Sequence, residues 1–332
     1  MSDDPYLKIL NGLIAIVLGV GGTAALYWLL NFLSGLLPGK WDRRVKPYVF
    51  IGPAILVVTV FLVYPAVMTV IYSFADDNSI NWVGFGNYTA LFRDDEFIGT
   101  LVNNLLWILI VPAASVIVGL LVAVLADQLK AFPERVAKSV IFMPMAISFV
   151  GASTIWGFVY ATRFAQGDKQ IGLLSAISTS LGFEPVAWLR IQTGNLNDLL
   201  LIVIMIWLQA GFAMVLLSSA IKGVPDDTVE AARIDGASEV QIFFKVVVPQ
   251  IWPTVIVVFV TILILVMKVF DIVYVMTGGR SGTSVLANTF VLELFEFGDA
   301  GRAAAVVVVL MVAVIPVMIY QMRQFKKQEA GR

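Results

Sequence analysis

Long apolar runs separated by short polar connectors make up most of this chain. About 20 consecutive apolar residues are what an α-helix needs to cross the hydrocarbon core of a bilayer. The pattern predicts an all-α polytopic membrane protein with seven transmembrane helices, over residues 9–37, 49–75, 103–126, 136–161, 199–221, 251–276 and 303–322. A further apolar run, 285–297, is too short to span and is predicted to lie on the outer membrane surface.

The segment 223–249 is the longest polar, non-spanning stretch in the second half of the chain. Pro225 ends the preceding span, and Asp226 or Asp227 is predicted to cap a new helix. Gly236 can adopt positive φ and stop that helix. A second helix restarts at Ser238, and Pro249 is predicted to break it. Its apolar face would consist of Val240, Phe243, Phe244, Val247 and Val248.

This segment resembles the loop of importer-type ABC permeases that docks into the ATPase subunit. The matching positions are Glu230, Ala231, Ala232, Gly236, Val246, Val248 and Pro249, with Val at two positions where Ile and Leu are usual. The resemblance implies an ATPase-coupling site made of Asp226, Asp227, Glu230, Ala231, Ala232, Asp235, Gly236 and Pro249. Glu230 would either contact the ATPase or brace the loop internally. The alternative is an ordinary amphipathic connector that rests on the lipid headgroups.

Other stretches resemble the carbohydrate branch of these permeases, namely residues 87–92, 225–227 and 270–279. The resemblance implies a type I importer permease core of six helices over 49–322 and a cytoplasmic tail over 323–332. Residues 1–48 would add one extra N-terminal helix and a basic connector. It further implies a carbohydrate cargo of the maltose or α-glucoside type, moved by alternating access. The implied partners are a second permease in a heterodimer, two cytoplasmic ATPases and an extracytoplasmic solute-binding protein.

The placement of basic residues predicts the orientation in a bacterial inner membrane. The connectors 38–48, 127–135 and 222–250, with Lys138 and the tail, carry twice as many Lys and Arg residues as the connectors on the other side. By the positive-inside bias, segment 223–249 and the C-terminus are cytoplasmic and the N-terminus is outside.

Composition narrows the possible chemistry. The chain is 59% hydrophobic and 14% charged, and it contains neither Cys nor His. Thiolate zinc sites, thiol catalysis and imidazole acid–base chemistry are therefore excluded, and no metal site or catalytic residue is predicted. No phosphate-binding loop occurs. We therefore predict that the chain is not an enzyme and does not bind nucleic acid. ATP and Mg are predicted to be bound by the partner ATPases.

The rival function is an ion-coupled secondary transporter of a small polar solute. Such a protein would need several carboxylates or histidines at the membrane midplane. Only Lys268 and Asp271 are ionisable within or near the outer part of a span. They could pair at i, i+3 spacing, or line the translocation path.

Further candidates for the substrate path are polar or aromatic residues inside spans. The resemblance places Leu208, Gln209 and Phe212 at sugar-contacting positions of the family, and an amide beside an aromatic ring suits a hydroxyl-rich ligand. Helix packing is the alternative for Gln209. Asn103 and Asn104 are predicted either to cap the third span or to face a cavity.

Overall fold

The computed structural model describes residues 5–35, 39–164 and 169–330. It leaves undescribed the side chains of residues 5, 7–9, 33–34, 39–43, 45 and 324–330, which include the basic side chains of Lys40 and Arg43. The described residues are almost entirely helical, and their one β pairing is an isolated antiparallel bridge between Ala75 and Trp82. The predicted all-α class is confirmed.

The first of two compact units covers residues 1–71. It contains α1 (Pro5–Gly35) and α2 (Gly39–Val58), which continues through a π-helical turn, Thr59–Val63, into α3 (Tyr64–Tyr72). Pro47 and Pro53 lie inside α2. The rings of Tyr27 and Phe50 stack with centroids 5.9 Å apart, which joins α1 to α2.

The second unit covers residues 72–332 and contains the remaining helices. These are α4 (Gly86–Leu91), α5 (Asp95–Asp127), α6 (Ala131–Phe142), α7 (Phe149–Tyr160), α8 (Leu173–Ser180), α9 (Leu196–Lys222), α10 (Asp226–Ile234), α11 (Glu239–Ile242), α12 (Val248–Val266), α13 (Asp271–Met276), α14 (Leu286–Val291) and α15 (Ala300–Ala330).

Helix α9 forms the centre of this unit, because it packs along α5 and also contacts α6 and α12. The close approach of α9 to α5 and α6 depends on small residues. A Cβ at Gly119 of α5 would lie 2.5 Å from the Ala213 Cβ, and a Cβ at Gly211 would lie 2.5 Å from the Ile141 carbonyl oxygen of α6. Small residues at helix interfaces are the usual means of close packing in membranes.

Six helices among the described residues are long and apolar enough to cross a membrane, and one bent pair would make a seventh span. The pair consists of Ala131–Ala146 and Phe149–Val159, which meet at 104°. The predicted span 136–161 is thus a bent pair of helices rather than one continuous helix. Ile147 and Ser148 adopt extended backbone between the two parts, and Ser148 caps α7 by accepting a hydrogen bond from the Gly151 N–H (3.1 Å).

Two other predictions need correction. The predicted span 251–276 ends at Val266, and α13 follows as a separate short helix after a break that contains Lys268. The run 285–297 does not simply lie on a surface: Leu286 is buried against Leu91, Phe97 and Ala305. Sequence periodicity misses both features because a short helix packed on protein is as apolar as one that lies on lipid.

Candidate functional site

Helix α10, in the segment 223–249, ends in a complete glycine C-cap. The Ala237 N–H donates to the Ala232 carbonyl and the Gly236 N–H to the Arg233 carbonyl, both at 3.0 Å. This is the Schellman arrangement, and it requires the left-handed conformation that Gly236 adopts with φ of 81°. The predicted glycine stop is confirmed.

The N-terminus of α10 differs from prediction. Pro225 occupies the N-cap position, so Asp226 and Asp227 lie in the first turn and cap nothing with their side chains. There they still face the positive end of the helix dipole, which favours negative charge. The predicted capping role was wrong because Pro225 has the extended ψ (130°) that an N-cap residue needs.

Two side-chain contacts fix α10 relative to α11. Arg233 donates from Nε and Nη2 to the two carboxylate oxygens of Glu239, at 2.7 and 3.1 Å. Ser238 and Gln241 form the predicted capping box. The internal brace of the loop is thus Arg233 with Glu239. The Glu230 carboxylate, in contrast, makes no hydrogen bond or ion pair with any residue that the structure describes.

Pro249 does not break the helix that begins at Ser238. A π-helical turn, Phe243–Val247, connects α11 to α12, and the Val248 N–H donates to the Phe243 carbonyl five residues earlier. Pro249 then sits in the first turn of α12, where its missing N–H costs little. The buried face is also different, since Ile242 and Val247 are buried while Val240 and Phe244 are exposed.

The free face of α10 is partly apolar. Val229 and Ala232 turn inward onto the hydrophobic core, so Ala232 does not share the exposed face of Ala231. Glu230, Ala231 and Ile234 face outward, and Ile234 is 86% exposed. Sequence reasoning missed Ile234, although its i, i+4 spacing from Glu230 could have indicated it.

A charged network lies directly before α10 and joins three helices. Lys138 Nζ of α6 lies 2.5 Å from Asp127 Oδ1 at the end of α5, 2.6 Å from Glu134 Oε1 and 2.5 Å from Ser218 Oγ of α9. Lys222, four residues before α10, also pairs with Glu134. The start of the segment 223–249 is thereby tied to α6. Within the network only Glu134 and Lys138 have a local signal, their i, i+4 spacing, because the other members come from distant positions.

A cavity of about 360 Å³ opens at the bend between α6 and α7, and we call it the corner cavity. Its lining residues are Met145, Ile147, Ser148, Phe149, Val150, Leu208, Gln209, Leu265 and Asp271. It exists because the chain breaks twice: the backbone turns at 147–148, and α12 stops at Val266 before α13 begins. Irregular backbone at membrane depth is tolerated where it lines a cavity.

Three of the predicted substrate-path residues meet in the corner cavity. Leu208 and Gln209 come from α9 and Asp271 from the first turn of α13. The Gln209 side chain is 4% exposed, and its amide forms no hydrogen bond with any described residue. Gln209 lines the corner cavity, where its unused hydrogen-bonding capacity is available to a ligand or water. Helix-to-helix bonding, the alternative for Gln209, is not what the geometry shows.

The other three predicted path residues lie elsewhere. Phe212 packs against the core, and Lys268 is exposed in the break after α12. Lys268 and Asp271 form no ion pair in the described part of the chain, because the break removes the helical i, i+3 geometry. Asn104 accepts a hydrogen bond from the Leu286 N–H at 3.1 Å.

Asn104 belongs to a set of side chains that hold the loop before α14. Asn103 donates to the carbonyls of Gly282 (2.6 Å) and Ser284 (2.9 Å), and Asn197 donates to the Ser281 carbonyl at 2.7 Å. The predicted capping role of Asn103 and Asn104 was wrong, since α5 begins two turns earlier, after Asp94. Their amides fix a loop, and neither lines the corner cavity.

Comparisons with known proteins agree with this architecture. The family described as "Binding-protein-dependent transport system inner membrane component" matches residues 115–327. The alpha-glucoside transport system permease protein AglF of Rhizobium meliloti is 45% identical, over 98% of this chain and 99% of that protein. The osmoprotective compounds uptake permease protein GgtC of Synechocystis is 50% identical, over 85% of this chain and all of that protein.

A solved structure has the same fold. A chain of a bacterial ABC transporter involved in the import of the acidic polysaccharide alginate superposes with a TM-score of 0.72 at 19% identity, over 86% of this chain and 96% of that one.

Proposed function

This chain belongs to the family of binding-protein-dependent transport system inner membrane components, and from that premise we propose that it is the permease subunit of an ABC importer for neutral α-glucosides or similar sugars. The relative named for alpha-glucoside transport, 45% identical over 98% of this chain, supports a sugar cargo. The family membership argues against an ion-coupled secondary transporter.

The observation that carries the proposal is the free face of α10. The C-terminal end of this helix is fixed by the Schellman motif and by the Arg233–Glu239 pair, yet Glu230, Ala231 and Ile234 remain uncovered by any described residue. A rigid helix with an apolar side chain and an unpaired carboxylate is suited to a complementary groove on a partner. We assign that groove to a cytoplasmic ATPase, which would bind ATP and Mg and perform all hydrolysis.

A mechanical connection from α10 to the cargo supports alternating access. Movement of α10 would pull on Lys222, which is paired with Glu134 of α6, and Lys138 ties the same helix to α5. Helix α6 leads into Met145 and Ile147, which line the corner cavity. Closure of the ATPases could therefore change the shape of the cavity through one helix.

Within the corner cavity we assign sugar binding to Gln209, Leu208 and Asp271. The Gln209 amide and the Asp271 carboxylate would bond hydroxyl groups, and Phe149 offers an aromatic surface for the ring.

The complete importer would also contain a second permease, two ATPases and an external solute-binding protein. Residues 49–322 would be the permease core, residues 1–48 an additional helix with its connector, and residues 323–332 a cytoplasmic tail, with the N-terminus outside.

The test is purification of the tagged chain from its native membrane, followed by reconstitution in proteoliposomes. We expect an ATPase, a second permease and a binding protein to co-purify, and ATP to drive uptake of maltose, sucrose or trehalose. Ile234→Asp should release the ATPase, whereas Ile80→Asp, at a site 80% exposed and distant in sequence, should not. Uptake driven by an ion gradient without any ATPase would refute the proposal.

A further inference from the structure

A second cavity, of about 490 Å³, lies beside the first and shares one helix with it. We call it the outer cavity, and its walls include Glu96, Tyr274, Thr277, Arg280, Glu296 and Phe297. Helix α13 contributes Asp271 to the corner cavity and Tyr274, one turn later, to the outer cavity. Helix α13 therefore borders both cavities, with its two lining residues one turn apart. The outer cavity lies within connectors predicted to be external.

The outer cavity combines aromatic surface with unused charged side chains. Tyr274 stacks on Phe270 with centroids 5.0 Å apart and remains 50% exposed, and Phe297 is 68% exposed. The side chains of Glu96, Glu296 and Arg280 form no hydrogen bond or ion pair with any part of the chain that the structure describes. Planar charged groups bond pairs of adjacent hydroxyls, and aromatic rings cover the apolar face of a sugar ring.

A neighbouring cavity, of about 450 Å³, shares Glu96, Leu292 and Phe297 with the outer cavity. It is also rich in carboxylates, but its cation Arg302 already pairs with Asp94 and lies 2.7 Å from Glu293 Oε1. These contacts tie α15 to the start of α5 and to the segment after α14. The cation of the outer cavity, Arg280, has no such partner among the described residues and is available to a ligand.

The wall of the outer cavity is rigid. Gly278 and Gly279 have φ of 63° and 78°, and a Cβ at Gly279 would lie 2.1 Å from Asn288 Nδ2. Thr277 and Thr283 are hydrogen-bonded through their hydroxyls at 2.7 Å, and Asn103 holds the Gly282 carbonyl. A preorganised wall loses little entropy when a ligand binds.

We propose that the outer cavity is a second sugar-binding subsite, which the cargo occupies before it passes α13 into the corner cavity. Tyr274 and Phe297 stack on the sugar ring, and Arg280, Glu96 and Glu296 bond its hydroxyls. The inference rests on the proposed function, because the cargo must be a sugar.

The absence of cysteine from the sequence permits a direct test of occupancy. Leu292→Cys places one thiol of this chain on the cavity wall, and Phe295→Cys places one on the same segment outside the cavity. The full complex, without binding protein, is labelled from outside with a polar maleimide in the presence and absence of the disaccharide that the wild-type complex transports. We expect the sugar to slow labelling of Leu292→Cys at least about twofold and to leave Phe295→Cys unaffected. The effect should be lost when Tyr274→Ala is added, because Tyr274 lines the outer cavity and not the neighbouring cavity that shares Leu292.

Transport kinetics give an independent measurement. Phe297→Ala should raise the KM for the disaccharide about 2- to 10-fold, the effect expected for loss of one aromatic stacking contact. The matched control Phe295→Ala, which removes a ring that is 77% exposed and lies outside the cavity, should leave KM unchanged. Equal labelling rates with and without sugar, together with equal KM values for the two alanine variants, would overturn the outer subsite alone. Failure of the wild-type complex to transport any of the three disaccharides would overturn the proposed function itself.

Discussion

Gly236→Val tests the mechanical role of the segment 223–249 most directly. No heavy atom lies within 4 Å of a Cβ built at Gly236, so the substitution causes no steric clash with neighbours. The cost comes entirely from the backbone, whose φ of 81° is unfavourable for a residue with a Cβ by about 1–2 kcal/mol, and more for a β-branched one. At about 2 kcal/mol the native turn would lose roughly 30-fold in population relative to other conformations.

The expected result is loss of coupling with intact insertion. Because the Schellman hydrogen bonds of Gly236 and Ala237 hold the end of α10, an altered turn would free this helix from α11. We expect transport per ATP hydrolysed to fall about tenfold or more, in line with the lost turn population. The assay compares ATP hydrolysis and sugar uptake in proteoliposomes. Gly236→Asn should be much milder, since Asn tolerates the left-handed conformation.

Gly182→Val is the matched control. Gly182 has φ of 86° and the same open surroundings, but it lies in a connector predicted to be external. It should carry the same backbone strain and leave the ratio of uptake to ATP hydrolysis unchanged. If Gly236→Val and Gly182→Val give the same ratio, the turn at Gly236 has no special part in coupling, and the reasoning above is wrong.

Three other predictions concern the cavity, the charged network and pH. Gln209→Ala should raise the KM for sugar about tenfold, through loss of one or two hydrogen bonds of about 1 kcal/mol each, as measured by uptake. Lys138→Met should lower the free energy of unfolding by about 2 kcal/mol, because its side chain is only 17% exposed and bonds both Asp127 and Glu134. Lys222→Met, at 53% exposure, should have little effect in thermal unfolding. Burial raises the pKa of Glu293 above its ordinary value of 4.5, with Arg302 opposing the shift, so the folded state binds the proton more tightly than the unfolded state. Stability should therefore fall as pH rises from about 4.5 through the raised pKa, and Glu293→Gln should remove that slope from a series of melting temperatures.

Local sequence signals predicted the local structure correctly where the backbone itself sets the outcome. Gly236 stops α10 because only glycine takes that φ without strain, and Ser238 with Gln241 starts α11 because both partners lie within one turn. Prolines were less reliable. Pro249 was predicted to end a helix, but the π-helical turn before it places Pro249 in a first turn, where no hydrogen bond is lost.

The candidate sugar site was likewise predicted only in part from the sequence. Leu208 and Gln209 could be selected from the sequence, because a polar residue inside an apolar run is unusual and the surrounding motifs resemble a known family. Asn104 has the same local appearance, yet it bonds the backbone of Leu286, far along the chain. Sequence spacing within one helix carries no information about which distant backbone group needs a partner.

By itself, the sequence determined that this protein is helical, that it crosses the membrane repeatedly and that its segment 223–249 forms helix, glycine turn and helix. Those features follow from apolar run length and from the conformational limits of single residues. Only the tertiary structure decided which side chains meet. The corner cavity depends on the bend at Ile147–Ser148 and on the end of α12. The ion pairs of Lys138 and Lys222 form only because the ends of α5, α6 and α9 converge. Such contacts arise from packing between distant segments, which no periodicity along the chain encodes.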